Sequence, residues 1–290
     1  MEGGNAIDAA VTCAFVQGVV NPQMCGLGGY ALVTLQLAGQ AQPILLDAPA
    51  LAGSGVSPDM WAKRVIGMNP DGWGYFLHGK VNDAGYQAIC TPGTVRGLAT
   101  ILERWGTRSW ADAISPAAEL AEAGYMVDTH LANRWKMRRR YPESCSLLDY
   151  VELNAEARRI YLGADGRPYD EGEILRNPDY ARTLAHLALY GANDFYQGAL
   201  ADRMADDLAA NNAFVIADDL AKYKLREEAP VEGSYRGLRV VTSQAPHGGP
   251  TLVAILNILE GYDLAALGLS LIHISEPTRR TPISYAVFCL

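Results

Sequence analysis

No run of about 18 apolar residues occurs in this 290-residue sequence, so no membrane span is expected. Cysteine is scarce. Cys13, Cys25, Cys90, Cys145 and Cys289 are widely spaced and form no C-x-x-C pair, which excludes a zinc site or a dense disulfide framework. Cys13 and Cys90 lie in apolar runs and are expected to be buried thiols. A basic surplus is lacking too. Lys and Arg total 24 against 32 Asp and Glu, and the net charge of −8 has the wrong sign for a nucleic-acid-binding face. No G-x-S-x-G, H-E-x-x-H or Walker motif appears, and no internal repeat. Met1 is followed at once by Glu2-Gly3-Gly4, without the basic start of a secretory signal.

What is present is the composition of a globular chain, 49% hydrophobic and 19% charged, long enough to bury a sizeable core. Residues 5–20 are Ala-rich with little charge, the pattern of a helix buried on most sides, with Asn5 or Asp8 at its N-terminus. A loop over 21–29 contains Gly26-Leu27-Gly28-Gly29. Strands are expected over 30–38 and 43–47, joined at Gly39-Gln40, as antiparallel sheet under helices. Another strand is expected over 84–93 and another over 235–242. Helices are expected over 95–106, 110–122, 177–190 and 199–210, with a helical turn at 218–220 and a last helix from 251. Residues 128–170, with Arg138-Arg139-Arg140, read as exposed insertions whose arginine run is a solvated face.

Three places carry candidate chemistry. Gly26-Leu27-Gly28-Gly29 falls short of a dinucleotide fingerprint and follows a helix rather than a strand. A tight turn that lets two backbones approach is the economical reading. His247, in Pro-His-Gly-Gly-Pro, is a loop histidine that serves either as a base or ligand contact or as a structural group. Asp47, in Asp47-Ala48-Pro49, stands at a strand end, where site residues gather and where structural turn aspartates also occur. Pattern reading alone stops at an α+β or α/β domain.

Several blocks carry a more specific signal in their order. Gly3-Gly4-Asn5-Ala6-Ile7-Asp8-Ala9-Ala10 resembles the GGNAxDAA signature of the γ-glutamyltransferase (glutathione hydrolase) family. Asn21-Pro22-Gln23 with Gly26–Gly29, then Thr91-Pro92-Gly93-Thr94-Val95-Arg96-Gly97-Leu98, then Pro116–Tyr125, resemble its following blocks. Phe195-Tyr196-Gln197-Gly198, Asp218–Tyr223, Tyr235-Arg236-Gly237 and the stretch from Gly248-Gly249 to Asp263-Leu264 continue in the family's order, covering residues up to about 268.

The resemblance implies an α+β fold: the four-layer αββα sandwich of N-terminal-nucleophile hydrolases, incomplete here. It implies a precursor that cuts itself, so that the new N-terminal Thr of a smaller chain becomes the nucleophile with its own amine as base. Hydrolysis or transpeptidation of a γ-glutamyl bond follows, with no metal and no organic cofactor. The implied partners are a small γ-glutamyl or other amide substrate and the missing small chain. No nucleic acid is expected as a partner. Family members are often periplasmic or secreted, and the sequence assigns no compartment here.

Two departures from the family pattern stand out. The family carries D-x-R-E-x-A-P after the second strand, and its Arg binds the substrate α-carboxylate. Residues 45–52 read Leu-Leu-Asp-Ala-Pro-Ala-Leu-Ala, with no Arg to read a carboxylate. An acylase-like relative acting on another amide, or a non-catalytic binding or scaffold relative, is the alternative. The catalytic Thr is also expected beyond the last matching block, so no catalytic residue is assigned within this chain. Asp47, His247, Gly248 and Gly249 are the candidate substrate-contacting residues. Residues 1–268 are expected to be a large-chain portion truncated at both ends. Residues 269–290 resemble a translated sequencing adapter, which would make His273 and Cys289 foreign.

Overall fold

In the computed structural model, which describes residues 3–72, 74–264 and 266, the first helix, α1 (Ala6–Val20), starts at Asn5. Asn5 Oδ1 accepts from the Ile7 and Asp8 amides at 2.8 and 3.1 Å, and the Asp8 carboxylate accepts from the Asn5 amide at 2.7 Å. This reciprocal capping satisfies amides that the first turn of a helix leaves without partners. α1 buries Val11, Phe15, Gly18 and Val19 along one face. Burial on most sides is therefore corrected. Only the side chains spaced by three and four reach the core, and Cys13 on the opposite face is exposed. Cys90 is half-buried rather than buried.

After α1 come β1 (Ala31–Leu35), β2 (Ile44–Ala48), β3 (Val65–Met68), β4 (Tyr75–Leu77), α2 (Thr94–Trp105), α3 (Trp110–Ala123), β5 (Tyr125–Met126) and α4 (Thr129–Trp135). They are followed by α5 (Leu147–Leu153), α6 (Ala155–Tyr161), β6 (Ile174–Leu175), α7 (Pro178–Tyr190), α8 (Asp194–Gln197), α9 (Ala199–Ala210) and α10 (Ala217–Ala221). Last come β7 (Arg226–Glu228), β8 (Val231–Tyr235), β9 (Leu238–Thr242) and α11 (Gly249–Glu260). The fold is α+β. One sheet has the order β1-β2-β7, and three two-stranded sheets pair β3 with β4, β5 with β6, and β8 with β9. The chain divides into two compact units, Met1–Val33 with Leu46–Arg226, and Thr34–Leu45 with the chain from Glu227 onward. Among the described residues no helix is long and apolar enough to cross a membrane. The segment 269–290, with His273 and Cys289, lies outside the described residues.

Other expectations are corrected. Residues 84–93 form no strand. Gly85, at φ 87°, turns the chain into a 3-10 turn at Tyr86–Ala88, and Thr91 reaches Leu51 through an isolated bridge. Residues 235–242 are not one strand, because Arg236 and Gly237, both at positive φ, make the two-residue turn between β8 and β9. The stretch 128–170 is more than exposed insertion. Asp128 and Ser146 cap α4 and α5, and Leu131, Trp135 and Val151 are buried. Arg139 pairs with Asp149 and Arg140 with Asp71, so two of the three arginines in the run are ion-paired.

In the first unit α1 packs on α2 and α3, and α3 packs on α7. The Phe15 and Trp110 rings meet edge to face with centroids 5.3 Å apart, and Trp110 Nε1 donates to the Leu187 carbonyl at 2.9 Å. The junction between α2 and α3 is held by Asp8, which is fully buried. Its carboxylate accepts from Thr107 N at 2.8 Å, Thr107 Oγ1 at 2.6 Å and Arg108 N at 3.0 Å, while Asn5 Nδ2 donates to the Trp105 carbonyl at 2.7 Å. Burial alone raises the Asp8 pKa. The Thr107 hydroxyl and the amides of Asn5, Arg108 and Thr107 outweigh it and hold the carboxyl well below the usual carboxylate range.

Because that folded pKa lies below the unfolded one, the stabilisation is complete above the ordinary Asp pKa of about 4 and is lost as the pH falls further. Asp8→Asn is expected to lower the Tm at pH 7 by about 5–10 °C and to flatten the acid side of the stability profile. Melting curves from pH 2 to 7 check this. A variant with the native Tm and the native acid slope would contradict it.

Candidate functional site

The strand end that carries Asp47 is built by close approach. Asp47 is buried at 1% exposure. A Cβ at Gly93 would stand 2.1 Å from the Ala48 carbonyl oxygen and 2.2 Å from the Tyr223 hydroxyl, and one at Gly97 would stand 3.0 Å from Ala31 Cβ. Glycine at both positions, one helical turn apart, lets the start of α2 sit directly on the backbone of β2. The Gly29 carbonyl accepts from the Gly93 and Thr94 amides at 2.8 and 3.2 Å, which gives the opening turn of α2 the acceptor its cap lacks. A Cβ at Gly29 would stand 3.3 Å from Thr94 Oγ1, a side-chain contact rather than the approach of two backbones. A Cβ at Gly26 or Gly28 would meet nothing within 4 Å.

Two tyrosines fix the proline segments on either side. Tyr223 donates to the Pro49 carbonyl at 2.7 Å, and Tyr196 donates to the Pro92 carbonyl at 3.0 Å while accepting from the Arg96 amide at 3.0 Å. Their rings stack with centroids 5.3 Å apart, and the Arg96 guanidinium lies 4.5 Å over the Tyr196 ring. Burial pushes the Tyr196 hydroxyl up to about 12, with Arg96 working against it. Burial also raises Tyr223, helped by Tyr196 and Asp47 and opposed by Arg226 and Arg96. Both phenols therefore stay protonated and act as fixed donors. The sequence blocks contained these tyrosines, but their roles depend on contacts about 100 and 174 residues apart.

His247, Gly248 and Gly249 belong to the other unit. His247 is half-buried in the loop before α11, its amide donating to Gln244 O at 3.0 Å, and Gly248 O accepts from Leu252 N at 2.9 Å to open the helix. A Cβ at Gly249 would fall 1.9 Å from the Ser243 carbonyl oxygen, so backbone contact by itself demands glycine there. A carboxylate–imidazole pair that motif reading passed over joins His186 Nε2 to Asp194 Oδ2 at 2.7 Å. Asp194 also accepts from the Ala199 and Leu200 amides, so it is occupied in starting α9. Among the described residues no cluster of three or more His, Cys, Asp or Glu could hold a metal ion.

Comparison with known proteins gives these features a context. In solved structures the chain is similar to Helicobacter pylori gamma-glutamyltranspeptidase, with a TM-score of 0.79 and 31% identity over 93% of this chain and 72% of that one. It is also similar to a cephalosporin acylase from Bacillus halodurans, with a TM-score of 0.74 and 26% identity over 90% of this chain and 45% of that one. The class is that of N-terminal-nucleophile hydrolases. The family model for gamma-glutamyltranspeptidase matches residues 1–276, and the chain belongs to that family. Among its relatives are the glutathione hydrolase proenzyme of Pseudomonas sp. (strain A14), 34% identical over 268 residues, and the Acylase ACY 1 proenzyme of Pseudomonas sp. (strain V22), 32% identical over 272. Each match covers 92% of this chain but only 43% and 46% of those proteins, so the chain spans less than half the length of these relatives.

Tyr223→Phe is expected to cost about 1 kcal/mol through the lost bond to Pro49. Gly93→Ala is expected to cost more, about 3 kcal/mol, because no flexible side chain alone can make room for the Cβ. Denaturant titration measures both. Native stability in Gly93→Ala would refute the close seating of α2 on β2.

Proposed function

We propose that the chain forms the large-chain part of a γ-glutamyl amidohydrolase, with its central strands in a four-layer αββα sandwich. The observation that carries this reading is the 31%-identical likeness to the Helicobacter pylori gamma-glutamyltranspeptidase over 93% of the chain. In this reading a Thr supplied by sequence outside residues 1–268 attacks the γ-carbonyl. Its own α-amine takes the hydroxyl proton and passes it to the departing amine, leaving an acyl ester on the Thr. Water, or the amino group of a second amino acid, then takes the acyl group and restores the hydroxyl. Asp47, held by the Gly93 seat and the Tyr223 bond, belongs to the segment that faces the acyl group. His247, Gly248 and Gly249 are proposed as further substrate contacts.

The partner chain in this reading has a surface ready for it. On α11, Leu252, Ile255 and Ile258 are exposed at 44%, 46% and 56%, a stripe of large apolar side chains. Produced alone, the chain is expected to self-associate. A monodisperse monomer at high concentration would count against a missing covering chain.

The decisive assay uses γ-glutamyl-p-nitroanilide and glutaryl-p-nitroanilide. The 290-residue chain alone is expected to release no nitroaniline. The product of its genomic locus, read on past codon 268, is expected to release it from the γ-glutamyl substrate. Turnover by the 290-residue chain would overturn the placement of the nucleophile. Release from the glutaryl substrate alone would overturn the γ-glutamyl reading in favour of an acylase. A native stop just after codon 268 would favour a scaffold protein.

A further inference from the structure

One cleft of the first unit lies between the C-terminal end of α1, β5 and the start of α4. It is a cavity of about 330 Å³, lined by Gln17, Asn21, Gln23, Tyr125, Asp128 and His130 among others. Three of these side chains carry a polar atom that is buried and has no hydrogen-bond partner among the described residues: Asn21 Oδ1, Gln23 Oε1 and Tyr125 Oη. Tyr125 is itself nine-tenths buried. A buried polar atom left unmet is costly, so a cluster of three is a demand for a ligand or for ordered water.

The chemistry of the lining narrows what could meet that demand. All three atoms can accept, and two of them, the amide oxygens, can only accept. No Lys or Arg lines the cavity, and Asp128 brings a carboxylate to its rim. An anion would find neither Lys nor Arg there and would meet the Asp128 carboxylate, and an aprotic neutral molecule would leave the amide oxygens unmet. A primary ammonium group offers three N–H donors and a charge opposite to that of Asp128. Gln23 also lines a neighbouring, mainly apolar cavity of about 180 Å³, walled by Pro22, Trp135, Leu147, Val151 and Tyr161. That space suits a short carbon chain.

We propose that this cleft binds a primary ammonium group carried on a short apolar chain. The site uses none of Asp47, His247, Gly248 or Gly249, and it gives the Asn21-Pro22-Gln23 block a task that the acyl-transfer reading does not. Asp128 already caps α4 through the Leu131 amide at 2.7 Å. Asparagine caps equally well, so the charge can be removed without unwinding the helix.

The test titrates the whole product of the genomic locus with n-butylammonium, 1-butanol and tetramethylammonium, reading binding by calorimetry and by chemical-shift changes. Saturable binding of n-butylammonium is expected. Binding about tenfold weaker or worse is expected for the uncharged alcohol and for the cation without N–H donors. Asp128→Asn and Gln23→Met are each expected to weaken n-butylammonium by about tenfold while leaving the Tm unchanged. Absence of saturable binding would mean that water alone fills the cleft and would overturn the proposal. Equal binding of tetramethylammonium, or indifference to both substitutions, would overturn it as well. None of these outcomes bears on nitroaniline release, so failure here is distinguishable from failure of the catalytic reading.

Discussion

A single buried carboxylate sets the geometry from which the candidate site is built. Asp8 gathers four donors, two of them from Thr107, and so fixes the start of α1 against the junction of α2 and α3. Placing a charge where no water reaches it is unfavourable unless its hydrogen-bonding capacity is met, and here it is met from three directions. The closeness of the junction follows. A Cβ at Gly106 would come within 2.9 Å of Asp8 Oδ1. With one end of α2 anchored in this way, its other end is set on β2 through Gly93 and Gly97, and the Asp47–Pro49 segment is held beneath it.

The family blocks acquire separate physical meanings in this arrangement. Asn5 and Asp8 are a cap and a clasp. Gly93 is a point where backbone meets backbone, Gly97 is where α2 meets the methyl groups of Ala31 and Ala48, and Tyr196 and Tyr223 are donors that span the chain to tie down two proline segments. Arg236-Gly237 is a tight turn whose first residue pays in backbone strain and gains a bond from its amide to Glu260 at 2.7 Å.

Much of the helical scaffold was legible in the sequence because its signals are local. The Asn5 cap and the helical apolar spacing of α2, α3, α7 and α9 each act within a turn or two. Errors arose where local pattern and tertiary placement part. The apolar run around Cys13 suggested burial on most sides, yet only one face of α1 found neighbours. Residues 84–93 look strand-like, but Gly85 turns their start into a 3-10 turn, and the pairing that follows is the single bridge of Thr91 with Leu51. The candidate site was legible only in part. Asp47 at a strand end and Gly249 before a helix could be picked out, whereas the contacts of Tyr223 with Pro49 and of Gly93 with Ala48 exist only once distant segments meet. The unmet acceptors near Asn21 leave no trace in sequence, because hydrogen-bond satisfaction is a property of the folded neighbourhood.

The claim on which the rest stands is that the Asp8 clasp opens only when the whole unit unfolds. Native-state hydrogen exchange at the Thr107 and Arg108 amides tests it directly. These amides are predicted to exchange with the same free energy and denaturant dependence as the buried core of α3 around Ile114 and Ala117. Exchange through a local opening, insensitive to denaturant and much faster than in the α3 core, would show that the junction is peripheral and would contradict the account.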